Sequence, residues 1–215
     1  TSITKSIFVN LNVRNGGCAS EGNTNFETST TGVIINDGEE DILSNLNNGK
    51  PSGYSDFTDI ITDLTIDQDY ELTVNANSDG NFQIVTIVWI DWNKNCSFDD
   101  PGERYDLGTS TNIFNQPTTN SPLGFTVPND ATLGNTIMRV ATKYNSAPSA
   151  CENGFDGEVE DYTINVKSRL SQDSFSLQNL SIYPNPSEGE FNIQFLSETS
   201  SDVKLTVFDI RGKSL

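Results

Sequence analysis

The 215 residues carry 12 basic and 30 acidic side chains, a net charge of -18, with 34% hydrophobic residues and no histidine. A field of that sign repels nucleic acid and anionic lipid. The missing histidine removes Ser-His-Asp and Cys-His catalysis and every histidine-containing zinc site, and no run of 18 apolar residues is present to span a membrane as a helix.

Helix-period patterns are nearly absent along the chain. Short alternating or continuous apolar runs stand between clusters of Gly, Asn, Asp and Pro, the pattern of strands and turns. In order they are SIFVNLNV, TGVIIN, YELTVNA, FQIVTIVWIDW, LGFTVP, TIMRVATKY and EDYTINV. Their number and spacing predict an all-β fold, an antiparallel two-sheet β-sandwich over residues 18–166. FQIVTIVWIDW is apolar at nearly every position, as a central strand covered on both faces would be. Residues 1–17 read as a leading strand or the end of a preceding domain, and a start at Thr1 without Met or a leader reads as processing or a fragment. Residues 167–179 read as a linker. From 180 to 215, strands EFNIQFL and VKLTVFDI form a second, small β unit, expected to be incomplete because so few strands are marginal alone. The charge follows this division: 7 basic and 24 acidic residues in 1–166, 5 and 6 in 167–215.

After the central strand comes DWNKNCSFDDPGE. Its oxygen-bearing side chains, Asp91, Asn93, Asn95, Ser97 and Asp99, fall two apart, the rhythm of Asp-rich calcium loops, with Glu103 as the closing acid, thirteenth where such loops place it twelfth. Cys96 stands where such loops place a Gly at positive φ. The alternative is a polar turn whose side chains bond their own backbone. Exposed aromatics beside polar loops could hold a sugar, and Trp92, Tyr105 and Tyr54 are the candidates, while Trp89 reads as core.

In GEVEDYTINV a conflict arises. If Tyr162, Ile164 and Val166 face a core, the strand period sends Glu158 and Glu160 to the same face. Buried carboxylates need a cation or several donors. Arg139, on the face of its strand opposite Met138 and Val140, is the expected partner of Glu160. Alternatively, Asp156, Glu158 or Asp161 shares a calcium ion with Asp91, or the strand starts only at Asp161 and both Glu are solvated. Three cysteines permit one disulfide. Cys18 with Cys151 would tie the start of the main domain to its last loop; a pairing through Cys96, or three free thiols, stays open.

ACENGF with GEVEDYTINV, WIDWNKNCSFDDPGE, VPNDATLGNTIMRV and GYSDFT resembles the GEVED domain over about residues 18–166. That resemblance implies an extracellular β module of a secreted bacterial protein, often placed after a zinc metallopeptidase domain. Relatives typically have two acidic residues where this chain has Asn95 and Ser97. LSIYPNPSEGEFNIQF with VFDIRGK resembles the C-terminal sorting domain of type IX secretion over about 180–215, with Tyr183, Pro184, Asn185, Pro186 and Gly189 in its signal. It implies recognition by the outer-membrane translocon, shuttle and sortase of that route and an extracellular or surface-anchored location.

The expectation is therefore a non-catalytic C-terminal module of a larger secreted protein, exported as type IX cargo. Its alternatives are a calcium-dependent carbohydrate-binding module and an accessory domain of a secreted metallopeptidase. A glycoside hydrolase using Asp91 and Glu158 is the enzymatic alternative.

Overall fold

A computed structural model describes residues 18–46, 49–169, 178–183 and 192–196. Two compact units divide the chain, 1–169 and 170–215. No helix occurs among the described residues. The SIFVNLNV run lies outside them.

The first unit is a sandwich of two sheets. One contains β1 (Glu21–Asn23), β11 (Asn153–Lys167), β10 (Gly134–Tyr144), β6 (Gln83–Ile90) and β7 (Arg104–Thr111) in that order, with β4 (Tyr54–Thr65) also paired to β11. β10, β11, β6 and β7 are antiparallel to their neighbours, whereas β1 and β4 run parallel along one edge of β11. The other sheet is β3 (Asp41–Leu46), β2 (Ser29–Asn36) and β5 (Asp69–Asn77), with β8 (Phe114–Pro117) and β9 (Leu123–Thr126) sharing the far edge of β5.

Between the sheets lies the main core. Val88 and Ile90 of β6, Met138 and Val140 of β10, and Tyr162, Ile164 and Val166 of β11 meet Val33, Ile35, Leu72, Val74 and Phe125 from the other sheet. The alternate residues of the same three strands point outward, and they too are buried: Val85, Ile87, Trp89, Ile137, Ala141 and Val159 form a second core with Phe98, Ala150 and Phe155. That is why the β6 run is apolar on both faces. Strand β11 begins eight residues before Asp161, at Asn153, and carries both glutamates within it.

Crowding at the start of β11 requires glycine. A Cβ on Gly157 would lie 2.0 Å from the Thr142 carbonyl oxygen, and one on Gly22 would lie 1.8 Å from that of Gly157. These absent side chains let β1, β11 and β10 close onto each other.

The second unit is described as β12 (Gln178–Tyr183) paired antiparallel with β13 (Asn192–Leu196).

Candidate functional site

On the outer core, β10 and β11 set Arg139 directly opposite Asp161. The guanidinium is fully buried, and it donates from Nε to Asp161 Oδ1 and from Nη2 to Asp161 Oδ2, both at 2.8 Å. Its Nη1 donates to the carbonyls of Ala150 (2.7 Å) and Cys18 (3.0 Å), and the Phe98 ring lies 5.2 Å away. Asp161 Oδ2 also accepts from the Tyr54 hydroxyl at 3.0 Å. A disulfide joins Cys18 to Cys151 across 133 residues. This centre therefore clamps the segment entering β1, the β10–β11 loop and the β6–β7 loop onto one sheet face.

Arg139 thus pairs with Asp161 and not with the expected Glu160. The reason is the strand period: Glu160 is opposite Val140 and shares its inward face, one residue out of phase with Arg139.

Glu158 and Glu160 do face the space between the sheets, and both are fully buried. Glu160 accepts from the Tyr162 hydroxyl at 2.9 Å, which accepts in turn from Asn45 Nδ2 on the opposing sheet at 2.9 Å. Glu158 accepts from Ser55 Oγ at 2.7 Å, while its Oε2 has no partner. Beside it, Thr142 shares its hydroxyl with Thr86 (3.0 Å) and with Thr30 of the facing sheet (2.9 Å). A bulge that leaves Thr31 unpaired between Thr30 and Gly32 turns Thr30 inward. One end of the core is thus a polar layer, missed in the sequence because Ser55, Thr30 and Lys50 come from distant segments.

Burial pushes the Glu158 carboxyl up to about 7, against the opposing pull of the Ser55 hydroxyl, Lys50 and the Thr30 N–H. Lys50, lowered by its own desolvation, lies among Glu158, Asp156, Glu27 and Asp79. A folded value above the unfolded one gives stability that is complete below about 4.5 and lost as pH rises through about 7. Glu158→Gln is expected to stabilise the fold at pH 8 by about 3 kcal/mol and to flatten its dependence between pH 5 and 8. Urea midpoints at both pH values check this; a Gln variant less stable at pH 8 would refute it.

The Asp91–Glu103 loop folds around backbone donors. Asp91, at the end of β6 and 2% exposed, accepts from the N–H groups of Asn95 (3.2 Å) and Cys96 (3.0 Å). Asn93, Asn95 and Ser97 each accept from the N–H two residues on, at 2.9, 2.7 and 3.1 Å. Cys96 sits at φ 65°, the left-handed conformation anticipated for its position. Asp99 is exposed, and Asp100, not singled out in the sequence, reaches the side chains of Asn93 and Asn95 at 3.2 and 2.7 Å. Glu103, 2% exposed, accepts from the Trp92 N–H at 2.9 Å and leaves Oε2 unpartnered. Desolvation, with Asp91 and Asp100 nearby, pushes its carboxyl up to about 6. Among the described residues no group of three or more His, Cys, Asp or Glu is arranged to hold an ion. Any cation in the loop would need amide, hydroxyl or backbone oxygens as well.

The aromatic candidates are turned inward. Trp92 is 4% exposed and packs in the main core, with its indole N–H donating to the Tyr105 hydroxyl at 2.9 Å. Tyr105 stacks edge-on with Phe125, and Tyr54 packs against the outer core. Trp92 is drawn in because the chain turns immediately after β6, so a ring placed at the loop start still reaches the sheet. Asp91 and Glu158 face opposite sides of one sheet, so they cannot flank a glycosidic bond.

In the second unit, Tyr183 ends β12 and is 50% exposed. Pro184, Asn185, Pro186 and Gly189 lie outside the described residues.

Comparison with known families gives two matches. Residues 85–165 match the GEVED domain, covering β6 to β11 with both the Asp91 loop and the Arg139–Asp161 pair. Residues 181–215 match the secretion system C-terminal sorting domain. The latter marks the chain for export by type IX secretion to the cell surface or extracellular space. No curated protein compared with the chain matches it.

Proposed function

We propose that this chain is a non-catalytic module of a larger secreted protein, exported as cargo of the type IX machinery and held at or beyond the cell surface. What supports the reading is the union of a sorting tail with a disulfide-tied sandwich whose central charges, Arg139 and Asp161, are occupied with each other. Such a module can accompany an upstream catalytic domain, a metallopeptidase among them, without taking part in its chemistry. Removing residues 181–215 is expected to leave the protein in the periplasm of a type IX-competent host, while the intact chain reaches the surface or medium. Surface delivery of the truncated chain, followed by immunoblotting of fractions, would overturn the export reading.

Calcium in the Asp91–Glu103 loop is proposed on the strength of Glu103. Its buried, unpartnered Oε2 stands near Asp91 and Asp100, where a divalent cation would relieve both desolvation and like-charge repulsion. Glu103 would supply charge together with Asp91, with Asn, hydroxyl and backbone oxygens completing the shell. Millimolar calcium is expected to raise Tm by several degrees, and terbium to emit when Trp92 is excited. Glu103→Gln should abolish both. Unchanged melting and dark terbium would leave the loop a self-bonded turn.

A further inference from the structure

We propose that one end of the main sandwich is a binding platform for an uncharged polysaccharide, with the rings of Phe26, Phe82, Phe114 and Tyr144 as its stacking surfaces. The proposal rests on the extracellular reading for access to such a polymer, and on geometry for everything else.

Among the described residues of the first unit, the large aromatic side chains that remain exposed are these: Phe26 at 51%, Phe82 at 50%, Phe114 at 69% and Tyr144 at 39%. They come from four separate segments, and the strand directions bring all four to one end. Tyr144 closes β10 opposite Ile84 at the start of β6, which places it beside Phe82. Phe114 opens β8 opposite Asn77 at the end of β5. Phe26 lies in the β1–β2 connection, whose next residue, Glu27, donates its N–H to Asp79 Oδ2 at 3.3 Å and accepts from Asn77 Nδ2 at 3.0 Å.

These segments are braced against one another. The Ser78 N–H donates to the Ile113 carbonyl, Ser78 Oγ accepts from the Ile113 N–H, both at 3.0 Å, and the Asn145 N–H donates to the Gln83 carbonyl at 2.8 Å. The rings therefore stand on connected loops with fixed backbones. Phe82 and Tyr144 meet edge to face, 5.8 Å apart at 84°, so the edge of one rests on one face of the other and the two ring planes stand at right angles.

Flat, fixed apolar faces match the C–H faces of pyranose rings, and amides between them match hydroxyls. Gln83, Asn81, Asn115 and Asn145 are exposed among the rings, with Glu27 and Asp79 at the margin. The charge selects the occupant. With -18 on the chain and acids at this rim, anionic bilayers and sulfated or uronic polymers are repelled, so among polysaccharides the field favours the uncharged ones.

The test uses the full chain in affinity electrophoresis through gels holding soluble β-glucan, xylan or galactomannan, and in co-sedimentation with phosphatidylcholine vesicles. Retention by at least one neutral polymer is expected, weakened on the order of tenfold in Phe82→Ala and in Phe114→Ala, with Tm unchanged in both. A chain that no neutral polymer retards would overturn the platform. So would retention that both variants keep, or vesicle binding that the same variants lose, which would make the rings a lipid contact. The readout uses purified protein, so a failed export experiment leaves it intact, and a failed platform leaves the sorting tail's role untouched.

Discussion

Arg139→Leu is expected to destabilise the sandwich by about 4 kcal/mol, because it strands the Asp161 carboxylate in a site from which water is excluded. The side chains are 0% and 4% exposed, and the fork of two 2.8 Å bonds leaves little freedom for either partner. Asp161→Leu should cost a similar amount by stranding the guanidinium. The double change should cost much less than the sum, since neither charge is then unpaired. Arg139→Lys is not a rescue: an ammonium cannot span both carboxylate oxygens and still reach the Ala150 and Cys18 carbonyls. Equilibrium urea unfolding of the four proteins decides the matter, and simple additivity would refute the clamp.

Loss of the Cys18–Cys151 bond is the second large effect. It closes a loop of 133 residues, and the loop-closure entropy it removes from the unfolded chain corresponds to about 5 kcal/mol. The measurement belongs in a Cys96→Ser background, because the exposed Cys96 thiol could otherwise exchange with the bridge. Reduction should lower Tm by well over ten degrees for a domain of this size. Because Arg139 also binds the Cys18 and Ala150 carbonyls, reduction and Arg139→Leu should overlap in cost. A bridge whose reduction costs under about 1 kcal/mol would show that the unfolded chain gains little freedom from its loss.

The strand period was legible in the sequence, and it correctly carried Glu158 and Glu160 into the core. Register was not. The period itself, applied to β10 as well as β11, puts Arg139 on the outer face with Asp161, and Glu160 on the inner face with Val140; register decides only that Asp161 is the acid directly opposite. The same limit hid the polar layer: Ser55 and Thr30 reach Glu158 through a parallel pairing and a bulge, neither of which leaves a local signal. β4 escaped notice because YSDFTDIITDLT interleaves acids with apolar residues at no single spacing. It accommodates this by pairing Tyr162 with Phe57 and then Thr163 with Ile61, leaving three residues out of register. Acids along an open edge also discourage pairing with a foreign strand. Trp92 was ambiguous for a different reason, since a ring at a strand end reads alike whether it turns in or out.

The bridge between Cys18 and Cys151 also sets the path of mechanical tension. A pull applied upstream of Cys18 and downstream of Lys167 crosses directly to Cys151, two residues before β11, and leaves along that strand. Everything from 19 to 150 is shunted out of the covalent load path. What remains under load is a strand already near its full length, gripped by β10 on one side and by β1 and β4 on the other. Under tension from whatever it joins, this module would act as a short, nearly inextensible tie, keeping its folded sheets unstretched until β11 itself is torn from its neighbours.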